Sequence, residues 1–173
     1  MGEHIFKARL CRKGMSKSMK VGMGYDVHRF APGRKLILGG VEIPHREGLL
    51  GHSDADVLVH AIIDALLGAL GLGDIGELFP DSDESYKDAD SLLLLGNVMA
   101  FAKKSEWGIK NIDCVIIAET PKLTPFKIQM KENIARVCSL APENVNIKAT
   151  TEEGLGIAGK GIGAKAILII ESR

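Results

Sequence analysis

Asp26 and His28 stand two residues apart in Val21–His28, a run that reads as a short strand. Strand residues i and i+2 point to one face, so the carboxylate and the imidazole can converge on one point. Such a pair is common by itself, and the run Asp54–Leu70 sharpens the case. It reads as a helix with Ser53 as its N-cap. Val57, Leu58, Ala61, Ile62, Ala65, Leu66, Ala69 and Leu70 give it one apolar face, which Val59, Ile63 and Leu67 extend most of the way round. A helix that is apolar on all sides is a buried helix. One polar stripe escapes at a spacing of four: Asp56, His60 and Asp64. Ionisable groups on such a helix cost free energy unless they are paired or hold a metal. Taken alone, His60 reads as a core histidine held by a helix-spaced aspartate. With Asp26 and His28 it completes a set of two imidazoles and one carboxylate. That set leaves the fourth position of a tetrahedral ion open, the pattern of a catalytic or substrate-binding zinc rather than a closed structural one. Asp56, one turn before His60, is spaced to orient the imidazole.

Two polar stretches are suited to phosphate. His52-Ser53-Asp54 precedes the helix, where free N–H groups and the positive end of the macrodipole favour an anion. The same stretch reads equally well as a plain cap with an exposed histidine. Lys148-Ala-Thr-Thr-Glu-Glu153 leaves a strand for a glycine-rich turn. Its hydroxyls and carboxylate suit a phosphate with a hard divalent ion, and it also reads as an ordinary polar turn. Residues 80–90 form a polar loop, either a solvated connection or part of an active site. Gly154-Leu-Gly156-Ile-Ala-Gly159 matches G-x-G-x-x-G, but the segment after it is β-like and the chain stops at residue 173. A dinucleotide-binding fingerprint must open a helix, so that reading is rejected.

The elements that must position these groups alternate between strand and helix. Lys35–Leu38 and Val41–Ile43 read as strands joined by Gly39-Gly40. Ala89–Lys104 and Pro125–Cys138 read as helices, and Ile109–Ile117, Val145–Thr150 and Ala164–Ile170 as strands. The class is α/β or α+β, with no linker and no internal repeat dividing the chain. A chain of 173 residues can bury roughly two-thirds of its unfolded surface and needs no disulfide to fold. Lysine plus arginine and aspartate plus glutamate are equal at 22 each, and aromatics are 5%. Such a chain is poorly suited to nucleic acid or an anionic membrane, and neither is an expected partner. The apolar stretch Ala61–Gly73 is interrupted by Asp64 and too short to span a bilayer. Cys11, Cys114 and Cys138 are odd in number and scattered, which reads as free thiols in a reducing, cytoplasmic setting. Residues 1–20 hold six cations against Glu3, so this segment is about +5 and the neutral chain's remainder about −5. Residues 1–19 read as a disordered basic extension or a misplaced start, with Met15 and Met19 as other starts. Residues 20–173 read as one domain.

Five blocks in order carry a resemblance. They are Gly-Tyr-Asp-Val-His (24–28), His-Ser-Asp-Ala-Asp-Val-x-x-His (52–60), Asp-Ala-Leu-Leu-Gly-Ala-Leu-Gly-Leu-Gly-Asp-Ile-Gly-Glu-Leu-Phe-Pro-Asp (64–81), Ile-Ile-Ala-x-x-Pro-Lys-Leu (116–123) and Asn-Ile-Lys-Ala-Thr-Thr-x-Glu (146–153). Over residues 20 to 171 the chain resembles the 2-C-methyl-D-erythritol 2,4-cyclodiphosphate synthase family of the non-mevalonate isoprenoid pathway. The resemblance implies a ferredoxin-like α/β subunit, a mixed sheet with helices on one face. It implies a homotrimer with active sites at its subunit interfaces. The implied reaction turns 4-diphosphocytidyl-2-C-methyl-D-erythritol 2-phosphate into the cyclic diphosphate plus CMP.

By the same resemblance, zinc is held by Asp26, His28 and His60, and Mg²⁺ or Mn²⁺ by Glu153 with the substrate phosphates. His52 and Thr151 stabilise the transition state. Asp26, Val27, His28, His52 and Ser53 meet the substrate. Asp74 and Gly76, with Ile75 between them, hold the ribose, and Phe79, Pro80, Asp81, Ser82 and Asp83 the methylerythritol end. Ala118, Glu119, Thr120, Pro121, Lys122, Leu123 and Thr124 line the cytosine and phosphate pocket, with Thr150, Thr151, Glu152 and Glu153 beside it. Ile157 and Lys160 stand where the family lines an axial cavity for an isoprenoid diphosphate. The chain departs there, with Ile157 for an aromatic, Lys160 for an arginine, and a shorter glycine segment at 159–163. Glu152 replaces a more usual hydroxyl residue. Two other readings fit part of the pattern: a zinc-dependent phosphoesterase using a metal-bound water, and a non-catalytic trimeric module for cytidine nucleotides.

Overall fold

The computed structural model describes residues 17–157 and 159–173; the basic segment before them, with Cys11, lies outside the described residues. The strands are β1 (Met19–Ala31), β2 (Leu36–Leu38), β3 (Val41–Ile43), β4 (Gly48–Leu49), β5 (Trp107–Ile117), β6 (Val145–Thr150) and β7 (Gly161–Ser172). The helices are α1 (Val57–Leu70), α2 (Ile75–Leu78), α3 (Ser91–Lys104) and α4 (Lys127–Cys138). One five-stranded mixed sheet has the order β4-β1-β7-β5-β6, and β2 and β3 form a separate hairpin. Gly39 and Gly40 close that hairpin with positive φ of 58° and 68°, the backbone that tight hairpin turns require.

In the sheet β1 is antiparallel to β7, β7 to β5, while β5 and β6 are parallel. Thus β1, β5 and β6 run the same way, and their C-terminal ends lie along one edge. The helices cover one face of this sheet: α1 packs on β1 and β7, α3 on α1 and β5, and α4 on α3 and β6. On the other face Met19, Val21, Met23, Tyr25 and Val27 of β1, with Ile167 of β7, are exposed.

Two glycines decide how closely α1 approaches. A Cβ at Gly22 would lie 1.8 Å from the Ala65 carbonyl oxygen, and one at Gly24 2.0 Å from that of Ala61. Their absence lets the α1 backbone rest directly on β1. The next residues on that face of β1 are Asp26 and His28, which therefore meet α1.

The chain departs from the sequence expectations at the start of α1. The helix begins at Val57, and its N-cap is Asp56 rather than Ser53. Ala55 takes a left-handed φ of 58°, which separates Ser53 from the helix. Ser53 closes its own small turn, its Oγ accepting from the Ala55 N–H at 3.2 Å. The positive end of α1 therefore sits at Asp56 rather than at His52-Ser53. The all-round apolar character of α1 is satisfied inside one chain, where all its residues except Asp64, Gly68 and Leu70 are buried. The short elements β4 and α2 were not expected, because two and four residues carry no readable period. Among the described residues, no helix is long and apolar enough to cross a membrane.

Candidate metal centre

Asp26 and His28 project from β1 to the helix side, and His60 comes down from the first turn of α1. Asp26 Oδ2 lies 3.0 Å from His28 Nε2 and 2.9 Å from His60 Nδ1, and the two ring nitrogens are 3.3 Å apart. Ligands about 2.0–2.1 Å from a tetrahedral zinc stand about 3.3 Å from one another. The three donors thus have the chemistry and the spacing for one common ion. Among the described residues this is the one His/Cys/Asp/Glu group so placed.

Burial by itself raises the Asp26 carboxyl. The hydrogen bonds from His28 and His60, and their charge, outweigh it and hold Asp26 well below the usual carboxylate range. For His60, burial works against the charged ring. The hydrogen bond and charge of Asp26, then the charges of Asp56 and Asp54, reverse this and raise its pKa above the ordinary histidine value. Asp26 is thus held as a carboxylate between the two imidazoles, the form in which it can ligate a cation.

Asp56 does not orient His60. Its carboxylate accepts from the Gly40 N–H at 2.7 Å and the Val59 N–H at 3.1 Å, so it caps α1 and ties the β2–β3 hairpin to it. The far side of the His60 ring faces serines instead. Nε2 lies 2.9 Å from Ser91 Oγ and 3.1 Å from Ser53 Oγ. Ser91, fully buried at the start of α3, was missed by sequence reasoning. A serine one residue after the helix-capping Asp90 looks like ordinary helix-start chemistry.

Other expected residues lie in the segments just before and just after α1. His52 Nε2 lies 3.1 Å from the Asp83 carbonyl, and the Asp88 N–H donates to the His52 carbonyl at 2.9 Å, so the polar loop is fastened beside the centre. Phe79 meets Tyr86 edge-on, ring centroids 5.2 Å apart. Asp64, one turn beyond His60, accepts from the Ile75 N–H at 2.8 Å and so sets the start of α2, where Asp74 caps and Gly76 follows.

A second group lies elsewhere. Ala118 N–H donates to the Thr150 carbonyl at 2.9 Å, joining the segment Glu119–Thr124 to the end of β6. Thr151 Oγ1 donates to Glu153 Oε1 at 3.2 Å, and Glu153 is exposed. Glu152 is folded back, its Oε2 accepting from the Ile157 N–H at 3.1 Å. Of the two acids, Glu152 is thus tied to the backbone at Ile157, while Glu153 is exposed and meets the Thr151 hydroxyl. Lys122 and Lys160 are exposed, and Ile157 lies over Gly163. The glycine segment runs through a turn into β7 and not into a helix, in line with rejecting a dinucleotide fingerprint.

The sheet register measures how far the two groups stand apart. Asp26 is opposite Ala164, Ala164 opposite Ile116, and Ile116 opposite Ala149. Asp26 and Ala149 are thus three strand spacings apart, about 14 Å.

The chain is similar to known proteins over most of its length. The model of the YgbB family matches residues 19–171. The chain is 59% identical over 155 residues to a 2-C-methyl-D-erythritol 2,4-cyclodiphosphate synthase of Syntrophomonas wolfei, covering 88% of this chain and 99% of that one. A solved structure of the bifunctional IspDF from Campylobacter jejuni is 42% identical with a TM-score of 0.87, over 91% of this chain and 43% of that longer one. An IspF from Plasmodium falciparum, solved as a CDP complex, is 32% identical with a TM-score of 0.78, over 90% of this chain and 97% of that one.

Proposed function

The chain belongs to the YgbB family, and from that premise we propose that it converts 4-diphosphocytidyl-2-C-methyl-D-erythritol 2-phosphate into 2-C-methyl-D-erythritol 2,4-cyclodiphosphate and CMP. The observation that carries the reading is the Asp26–His28–His60 group, whose three donor atoms are spaced for one common ion. In this reaction an oxygen of the substrate's 2-phosphate attacks the β-phosphorus. A P–O bond forms, the bond from the β-phosphorus to the bridging oxygen breaks, and CMP leaves with that oxygen. No water is consumed. Nucleophile and electrophile belong to one molecule, so no serine or cysteine nucleophile is required. Positioning and charge neutralisation carry the step.

Zinc bound by Asp26, His28 and His60 supplies a Lewis acid to the substrate phosphates. The rest falls to the chain's own side chains. His52, held by the Asp83 carbonyl, stabilises the transition state beside a phosphate. Thr151 and Lys122 stabilise charge on the diphosphate, and Glu153 serves a second hard cation, Mg²⁺ or Mn²⁺. Asp74 and Gly76 hold the ribose, and the segment Ala118–Thr124 receives the cytosine.

The separation of about 14 Å between the metal group and Ala149 supports a site completed by a second copy, in a homotrimer. The exposed apolar residues of β1 support the same assembly. The buried free thiols Cys114 and Cys138 accord with a reducing cytoplasm. The test is to incubate the purified protein with the candidate substrate and Mg²⁺ and follow phosphorus NMR. Cyclic diphosphate and CMP in equal amounts are expected. Inorganic phosphate or a linear product would indicate a phosphoesterase, and nucleotide binding without turnover a binding module.

A further inference from the structure

His60 has both ring nitrogens engaged, and the partners of the outer one are ordered. Ser91 Oγ, 2.9 Å from Nε2, donates its proton to Asp54 Oδ1. Asp54 is itself held from several sides. Its Oδ2 accepts the Ser91 N–H at 3.0 Å, its Oδ1 accepts the Asp56 N–H at 3.1 Å, and its own N–H donates to the Ala89 carbonyl at 3.1 Å. An ionised carboxylate only accepts, so the single Ser91 hydroxyl proton is committed to Asp54. Ser91 Oγ can then offer His60 nothing but a lone pair, and Nε2 must carry the ring proton to use it. Ser53 Oγ, 3.1 Å from the same nitrogen, can donate or accept and fixes nothing alone.

We propose that Asp54 and Ser91 are positioning residues for the metal centre: the carboxylate–hydroxyl pair locks His60 as the Nε2–H tautomer and presents the Nδ1 lone pair to a divalent cation, which raises the affinity of the site for zinc. This rests on reading Asp26, His28 and His60 as a zinc centre. A ring protonated on Nδ1 has no lone pair there and cannot ligate. Without Ser91, the Ser53 hydroxyl is free to donate to Nε2 and so to favour that unproductive tautomer. Outer partners of this kind typically contribute 10–100-fold to metal affinity.

The test compares the full-length protein with Asp54→Asn, Ser91→Ala and His28→Ala, each stripped of metal and titrated with zinc against a chromophoric chelator. Asp54→Asn is isosteric and loses the charge and one acceptor oxygen, which weakens the hold on the Ser91 proton. The unaltered protein should bind one zinc per chain, with both relay variants weaker by about 10–100-fold. Nitrogen-15 NMR of the zinc-loaded proteins supplies a readout besides affinity. The His60 Nε2 proton should exchange slowly with solvent in the unaltered protein and faster in the variants. Zinc affinities within twofold of the unaltered protein, or a His60 ring proton that exchanges equally fast in all of them, overturn the relay. If Ser91→Ala does not fold, Asp54→Asn decides by the same criteria. An unaltered protein that binds no zinc, or a His28→Ala variant that binds it fully, overturns the zinc reading itself and the relay with it.

Discussion

Asp56→Ala separates two effects that share one carboxylate. The side chain is fully buried, caps α1 at Val59 and holds the Gly40 N–H at 2.7 Å. Loss of an N-cap costs about 1 kcal/mol, and a backbone N–H left without its acceptor about 1–3 kcal/mol. The alanine variant should therefore lose about 2–4 kcal/mol when Asp56 is uncharged. Charge works the other way. Burial first, and the neighbouring Asp54 charge second, push the Asp56 pKa up from 3.8 to about 6, against the pull of the Gly40, Gly39 and Val59 N–H groups. A carboxyl whose folded pKa is raised contributes stability that is complete below its unfolded pKa and is lost as pH rises through the folded one. Between pH 4 and pH 7 the unaltered protein should lose about 2 kcal/mol through this group, and the alanine variant nothing. The deficit of the variant should thus shrink from about 2–4 kcal/mol at pH 4 to about 0–2 kcal/mol at pH 7. At about 2–4 °C per kcal/mol for a chain of this size, the melting temperature at pH 4 should fall by roughly 4–16 °C. The assay is thermal unfolding of zinc-free protein at one fixed concentration across that pH range. A deficit that grows toward pH 7 would mean that the N–H bonds outweigh burial, and the reasoning about this carboxylate would be wrong.

Three further outcomes follow from the same geometry. Gly24→Ala places a Cβ 2.0 Å from the Ala61 carbonyl oxygen, so α1 must lift from β1. It should melt lower and bind zinc more weakly than an Ala substitution at Gly96, whose Cβ would meet nothing closer than 4.0 Å; equal zinc affinity in the two variants would contradict the direct seating of α1. His60→Ala should lose most of its bound zinc along with turnover, measured by metal analysis after dialysis, and full occupancy would remove His60 from the ligand set. Cys114 and Cys138 are buried, and burial pushes both thiols up to about 12, so alkylation at pH 8 followed by peptide mapping should label them only after denaturation.

The metal donors were legible in the sequence because each obeys a local period. Asp26 and His28 share a strand face, and His60 lies on the polar stripe of an otherwise apolar helix. The same period reaches further back than was read. Gly22, Gly24, Asp26 and His28 alternate along one face of β1, two glycines that seat a helix followed by two residues that meet it. Other parts had no local signature. Ser91 reaches His60 from 31 residues away, and Asp54 reaches Ser91 from 37, so neither spacing carries a helical or strand period. The misplaced cap has a similar cause, since Asp54, Asp56 and Ser53 are all acceptable cap residues. What chose Asp56 was the hairpin glycine Gly40, a partner 16 residues earlier in the chain.

The largest unreadable feature is the distance between the two groups of expected residues, and it comes from strand order. The chain makes β7 last and inserts it between β1 and β5, so the first-made strand and the phosphate-suited end of β6 are held three spacings apart. No local pattern in residues 26–28 or 150–153 encodes that insertion. Because β1, β5 and β6 run in one direction, both halves nonetheless face the same sheet edge. In the trimer proposed above, a second copy would supply its own Thr150–Glu153 end to the Asp26 group. On that proposal the exposed apolar face of β1 and the distance between the two groups both belong to one topology.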